Sequence, residues 1–517
     1  MPMNRLAVLR AVVLAVLALA ASPSCPYAQE RGRSEASTPA HHAAPAEAIA
    51  RRPPPTDAVS RHEITIGGRK LAYTATAGTL PLTDAKGETT ADVFYVSFML
   101  DGVSDRSRRP ITYLFNGGPG ASSAYLDIGA IGPRALAFGP DGALPPPGAR
   151  VADNPDTWLP FTDLVFIDPV GTGYSRATGG EEAAAKEFWG VGQDLEALGD
   201  IIRLHLAKSG RVSSPVYLVG ESYGGFRAAR LAYDLDLRRG IALDGVVMVS
   251  PVIDFGLMSG DPLDPLPFAL RLPSYAAARL GAKSLDPGAL DAAEQFALHD
   301  YLVTLVAGPH QGAEATPFYD KLAQLTGIDV ASLKLWRGRI PIDNYLRDMD
   351  RRDGRVVSRY DATVSVTDPN PWSPGANDDP VLDRSIAPFT TAFIAYARDE
   401  LGFKTEQPYE LLNGVAARHW DWRSGRGGSF RRIGASDSLR RALALEPRLR
   451  VMIAHGVTDL QTPFMMSRYI KDQMPAPLGN RIAVKLYAGG HMLYLHESSR
   501  HQLYVDAKSF YAAATAE

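Results

Sequence analysis

The chain of 517 residues contains one cysteine, Cys25, and that count excludes several kinds of protein at once. No internal disulfide can staple the fold, so an exported chain of this size must be held by packing. A thiol nucleophile and a cysteine-based zinc site are ruled out on the same ground. Excess charge is also lacking. The 54 Lys and Arg nearly balance the 57 Asp and Glu, for a net charge of −3, and no basic stripe is sustained. Nucleic acid is therefore not an expected partner. Long apolar runs are missing too: the longest, at 11–20, is too short to span a hydrocarbon core of about 30 Å, so no membrane span is expected. What is present is a composition that buries a large core, with 45% hydrophobic and 21% charged residues, which excludes global disorder.

Arg5 and Arg10 precede the apolar block at 11–20, which small residues follow, the pattern of an export signal. Residues 1–28 are read as that signal, placing the mature chain in the periplasm or outside the cell. Ala18-Leu19-Ala20 and Ala28 are alternative cleavage points. Cys25 raises lipid attachment, but Pro23 fits a lipoprotein signal poorly. Residues 29–60 are rich in Ala, Pro, Arg and Ser, include Pro53-Pro54-Pro55, and show no apolar periodicity, as in a flexible tether. His41-His42 within it lack further ligands and read as solvated rather than metal-binding.

Strand-like apolar runs occur at 71–76, 93–99, 111–115, 164–167, 216–219, 246–249, 451–454 and 482–487, and helical patterns at 187–207 and 498–514. Early antiparallel strands followed by a parallel, doubly wound centre are predicted. The run at 216–219 leads into Gly220-Glu221-Ser222-Tyr223-Gly224 and then a helix-forming stretch. That is a serine on a strand-to-helix elbow, with flanking glycines free to adopt angles closed to other residues. Two later runs also end in polar residues, one at Asp459 and one at His491. The order Ser222, Asp459, His491 is that of a nucleophile, the acid that orients the base, and the base itself. Two alternatives stand beside it. Asp459 could cap a helix beginning near Pro463, and His491 could simply close a strand end. Asp421 and Asp156 rank lower as the acid, because neither follows a comparable strand end.

Asn116-Gly117-Gly118-Pro119-Gly120, Gly220-Glu221-Ser222-Tyr223-Gly224, Asp459 and Gly490-His491-Met492 together resemble the motifs of the serine carboxypeptidase family. The resemblance runs from about Val93 to the C-terminus and is weakest between about Phe255 and Thr390. The segments 166–175 and 494–497 look like its bacterial branch. It implies an α/β-hydrolase fold: a doubly wound, mostly parallel central sheet with an inserted, mainly helical lid. The core is expected at 61–254 and 391–517 and the lid at 255–390, where the chain lacks sheet periodicity and shows helical patterns at 284–307, 317–325 and 342–351. It also implies an exported enzyme that releases C-terminal residues from peptides through an acyl-enzyme on Ser222, with no cofactor and no metal. Asp378-Asp379 lack the spaced ligands of a calcium loop and read as a solvated turn.

An oxyanion needs prepositioned backbone donors. One is the N–H of Tyr223, which follows the nucleophile, and by resemblance the other is Gly118; a plain strand-terminating turn is the alternative for that loop. The resemblance further assigns Asn116, Gly117 and a protonated Glu221 to the substrate's free carboxylate. Burial beside a bound anion should raise the pKa of Glu221. Two departures from the family pattern stand out. Eukaryotic members carry a second glutamate where this chain has Ala130, and a cysteine where it has Ala121. Arg134 is a candidate replacement anchor, its alternative being an ordinary ion-paired arginine. With a thinner acidic clamp, activity is expected to extend toward neutral pH. The rival readings are an esterase or acyltransferase on the same triad, and a non-catalytic surface-binding protein on a retired hydrolase fold. The sequence carries no signal of oligomeric state.

Overall fold

A computed structural model describes residues 55–258, 261–286, 288–308, 312–373, 378–423 and 433–515. The expected signal, Cys25 and His41-His42 lie outside the described residues. A ten-stranded sheet organises the molecule. Its principal strands are β1 (Ala58–Ile66), β2 (Arg69–Thr83), β3 (Thr89–Leu100), β4 (Ile111–Phe115), β5 (Asp163–Ile167), β6 (Val216–Glu221), β7 (Gly245–Val249), β8 (Arg450–Gly456) and β9 (Ile482–Tyr487). Their spatial order is β1-β2-β3-β5-β4-β6-β7-β8-β9, and a short strand, Arg176–Ala177, also pairs with β3. The pairs β1–β2, β2–β3 and β3–β5 are antiparallel, and every pair from β5–β4 to β8–β9 is parallel. The doubly wound, mostly parallel sheet with antiparallel leading strands is as expected.

The burial pattern gives the reason for this order. Every residue of β4, β5, β6 and β7 is buried, as continuous apolar runs must be when helices cover both faces of a parallel sheet. The edge strand β9 alternates instead. Alternate residues enter opposite cores: Tyr113 and Phe115 of β4 join one apolar cluster while Leu114 joins the other. The longer helices are α1 (Val191–Lys208), α2 (Tyr223–Arg239), α3 (Leu266–Leu280), α4 (Thr316–Thr326), α5 (Leu382–Asp399), α6 (Ser436–Leu445), α7 (Phe464–Asp472) and α8 (Glu497–Thr515). Leu195 and Ile202 of α1, Phe226 and Leu231 of α2 and Leu439 of α6 pack on the first face, and Phe389 and Tyr396 of α5 and Tyr511 of α8 on the second.

Between β7 and β8 the chain leaves the sheet. Helices α3 and α4 and several shorter turns close around Leu272, Tyr275, Tyr301, Leu322 and Tyr345, a third cluster that Leu460 joins from beyond β8. The Tyr275 and Tyr345 rings stack at 4.0 Å. Three details differ from the sequence reading, each for a local reason. Strand β1 begins at Ala58, inside the stretch read as tether, because its alternation is carried by charged and polar residues suited to a sheet edge. Helices α3 and α5 contain Pro273 and Pro388, which mask a helical pattern in the sequence. Helix α5, which begins within the stretch expected as lid, packs on the sheet's second face. The helix expected over 284–307 is interrupted by a π-helical turn at Ala297–Tyr301. No helix of the described residues is long and apolar enough to cross a membrane.

One buried carboxylate ties the leading strands to the parallel centre. Asp163, wholly buried at the start of β5, accepts from Arg109 Nε at 2.8 Å and from the Leu100 N–H at 2.9 Å, and also pairs with the buried Arg211. Removing it leaves two guanidinium groups without their counter-charge. Asp163→Ala is expected to destabilise the fold by about 3–5 kcal/mol, measured by urea denaturation. An unchanged midpoint would contradict this.

Candidate active site

Strand β6 ends at Glu221, and the next residue, Ser222, has φ 59° and ψ −122°, a conformation that costs a non-glycine residue roughly 1–3 kcal/mol. The surroundings enforce it. A Cβ on Gly220 would lie 1.9 Å from the Gly224 carbonyl oxygen, and one on Gly224 would lie 2.4 Å from the Phe115 carbonyl oxygen. The turn is thus compressed between β6, α2 and the end of β4, and only glycines fit. The Ser222 N–H donates to the Val249 carbonyl at 2.9 Å, and its own carbonyl accepts from Gly225 and Val252. The residue remains partly exposed while both of its neighbours are buried.

Asp459 follows β8 and His491 follows β9. His491 Nδ1 lies 2.8 Å from Asp459 Oδ2 in a buried pair. The other oxygen of Asp459 accepts from the N–H groups of Gln461 and Thr462 at 2.8 and 2.9 Å. Asp459 therefore does not cap α7, whose first turn has no side-chain cap; it folds its own turn and binds the imidazole. Thr462 Oγ1 sits 2.7 Å from Asp459 Oδ2, 3.1 Å from His491 Nδ1 and 2.9 Å from the Ser250 carbonyl oxygen, stitching the β7 and β8 turns together. Burial alone would lower the pKa of His491, but the Asp459 carboxylate outweighs it and holds the imidazole above its ordinary value. With Nδ1–H donating a hydrogen bond to the Asp459 carboxylate, Nε2 is left as the basic nitrogen. It is buried and has no hydrogen-bond partner among the described residues; no hydrogen bond joins it to Ser222.

The insertion reaches this site. The His491 N–H donates to the Tyr360 carbonyl at 2.6 Å, and the Tyr360 ring meets the imidazole edge-on at 4.8 Å. Asp361 accepts from Thr458 Oγ1 at 2.8 Å, and Leu460 N–H donates to the Arg359 carbonyl. Residues 359–361 form a strap across the turns that carry Asp459 and His491. Asp379 holds the strap's other side, accepting from Ser358 Oγ at 2.8 Å and the Arg359 N–H at 2.7 Å.

On the opposite side of the elbow, a Cβ on Gly117 would fall 2.4 Å from the Tyr223 nitrogen, so the 116–120 loop lies directly against the start of α2. Tyr223, first in its helix, has no intrahelical acceptor for its N–H, and Gly118, with φ 97°, donates to no backbone carbonyl among the described residues. Asn116 Nδ2 donates to Glu221 Oε2 at 2.7 Å, and the Tyr494 hydroxyl lies 3.1 and 3.0 Å from the two Glu221 oxygens. All three residues are buried. Burial raises the pKa of Glu221 to about 7, against the opposing pull of His491 and the two donors, with Asp459 adding to the rise. The Tyr494 ring occupies the space beside Gly129, where a Cβ would come within 3.0 Å of it, next to Ala130.

Residues 71–255 match the family model described as serine carboxypeptidase. "Serine carboxypeptidase-like 45" of Arabidopsis thaliana is 24% identical over 215 residues, 38% of this chain and 43% of the relative. The retinoid-inducible serine carboxypeptidase of Homo sapiens is 30% identical over 144 residues, 28% of each chain. Over residues 71–255 the chain is thus similar to the serine carboxypeptidase family. It spans less than half the length of these curated relatives. The crystal structure of the prohormone-processing carboxypeptidase KEX1(delta)p from Saccharomyces cerevisiae superposes with a TM-score of 0.52 at 16% identity, over 84% of this chain and 92% of that one. The fold is that of the α/β hydrolases.

The structure brings Asp459 to His491, Asn116 to Glu221, and Gly117 to the Tyr223 amide. Arg134 it places elsewhere. The guanidinium pairs with Glu400 at 2.9 Å and with Asp153, so its planar fork is occupied rather than free for a substrate carboxylate. Of the lower-ranked acids, Asp156 pairs with Arg500 and His501, and Asp421 binds Arg423. Of the residues not foreseen, Thr462 had a readable signal, the Asp-x-x-Thr spacing of a side-chain-to-backbone turn. Tyr494 lay in a segment noticed only for its resemblance, and Tyr360 had no signal, since long-range packing alone delivers it.

Glu221 carries a stability prediction. Its folded pKa is raised from 4.5 to about 7, so the folded state binds the extra proton. The stability this gives is fully present below about 4.5 and is lost as pH rises through about 7. The stability difference between the native protein and Glu221→Gln should fall by roughly 3 kcal/mol between pH 4.5 and pH 8 in urea denaturation. Parallel pH profiles would refute it.

Proposed function

We propose that this chain is an exported serine carboxypeptidase that removes C-terminal residues from peptides through an acyl-enzyme on Ser222. The observation that carries the reading is Glu221: a buried carboxyl beside the nucleophile, bonded to Asn116 and Tyr494, whose pKa of about 7 keeps it protonated at mildly acidic pH. A protonated acid donates a hydrogen bond to a carboxylate, whereas an ionised one repels it, so the site favours substrates that end in a free carboxyl. Gly117 N–H and Asn116 complete the grip. An esterase with a neutral substrate has no use for such a group.

In this mechanism Ser222 Oγ attacks the carbonyl of the last peptide bond while its proton passes to His491 Nε2, and Asp459 stabilises the imidazolium that forms. Closing the contact from Ser222 to His491 accompanies substrate binding, since hydrogen bonds of this kind tighten in the complex. The N–H groups of Gly118 and Tyr223 receive the oxyanion. The C–N bond then breaks, the departing amine takes the proton from Nε2, and water releases the acyl group by the reverse sequence. The insertion between β7 and β8 acts as the lid, and residues 1–28 direct export.

Mass spectrometry of a peptide mixture after incubation should show residues leaving one at a time from the C-terminal end. Ser222→Ala should lower kcat by at least about 1,000-fold. Ester cleavage without C-terminal release would favour the esterase reading instead. The kcat/KM for peptides with free C-termini should persist to about pH 7 and decline above it as Glu221 ionises; collapse above about pH 5.5 would contradict this. Because the Tyr494 hydroxyl favours the ionised form of Glu221, Tyr494→Phe should move that decline to higher pH.

A further inference from the structure

Behind the 116–120 loop lies an ion pair wholly removed from water. Arg227, on the second turn of α2 and fully buried, binds Asp194 of α1 through two bonds, Nε to Oδ2 at 2.8 Å and Nη2 to Oδ1 at 3.0 Å. The remaining terminal nitrogen, Nη1, donates to the Asn116 carbonyl and lies 3.4 Å from the Gly117 carbonyl oxygen. The guanidinium also sits over the Tyr223 ring, 4.9 Å from its centroid. One planar cation therefore touches both halves of the oxyanion site, the loop and the residue after the nucleophile.

We propose that Arg227, held by Asp194, is the positioning residue that aims the oxyanion donors. In a trans peptide the C=O of one residue and the N–H of the next point in opposite directions. Drawing the Asn116 carbonyl toward Arg227 turns the Gly117 N–H away from it, and drawing the Gly117 carbonyl the same way turns the Gly118 N–H away as well. Gly117 also accepts from the Ala121 N–H at 3.2 Å, which fixes the second plane from the other side. Glycine has little intrinsic preference among backbone angles, so this loop needs an external hold to keep its donors in one direction. A buried ion pair gains little net stability, because desolvation offsets the attraction; what the pair supplies here is direction. Only a forked cation can serve, since two nitrogens must face Asp194 while a third faces the loop.

This inference rests on the assignment of Ser222 as nucleophile, and its test is independent of the natural substrate. A fluorophosphonate phosphonylates an activated serine: Ser222 Oγ bonds to phosphorus, fluoride leaves, and the phosphoryl oxygen sits where an oxyanion would. Arg227→Lys and Asp194→Asn should each slow this labelling by about 10- to 100-fold, with kcat for substrate falling in parallel and KM staying within about twofold. Labelling of both folded variants at the native rate would overturn the proposal, as would a loss confined to KM. Absence of cooperative thermal unfolding in both variants would make the pair a folding staple and overturn it equally. Should the native protein label at Ser222 yet release no C-terminal residues, the carboxypeptidase assignment falls while this one is still decided by the labelling rates. A native protein that takes no label removes both.

Discussion

Three stretches of main chain approach one another at the end of β6 more closely than any side chain would allow. The first residue of α2, the exit of β4 and the 116–120 loop meet where Gly117, Gly220 and Gly224 leave room for nothing but backbone. That contact forces Ser222 into an unfavourable conformation and lifts its hydroxyl out of the sheet. It also holds the 116–120 loop against the Tyr223 amide. The strain is local, and the surrounding parallel strands, buried on both faces, are stiff enough to sustain it.

Around this point two buried carboxyls meet different surroundings. Glu221 and Asp459 are both buried carboxyls, yet one rises toward neutrality while the other meets an imidazole and three donors within its own turn. The polar atoms that support them come from distant chain segments: Tyr494 from beyond β9, Thr462 from before α7, and Tyr360 from the insertion.

The strand-end residues were the most legible part of the sequence, because each is announced by the apolar run before it. Ser222, Asp459 and His491 all lie just past a strand, and the elbow's glycines mark the turn that holds Ser222. Asn116 and Glu221 were paired through resemblance to a known family, and the structure joins them at 2.7 Å. Elements that work through long-range packing were hidden. Charged alternation concealed β1, internal prolines concealed α3 and α5, and nothing near Tyr360 in the chain signals its place over His491. Arg134 shows the converse difficulty, since a planar cation in an apt motif does not reveal the acids that will claim it; Glu400 lies far along the chain.

The strap at residues 359–361 makes the insertion something other than a detachable cap. Its main chain receives the N–H of His491 and its tyrosine ring meets the edge of the imidazole, so the inserted segment also fixes this histidine. A shift of that strap would displace the imidazole as well. Homologues that exchange their inserted domains would therefore have to exchange this crosspiece as a unit.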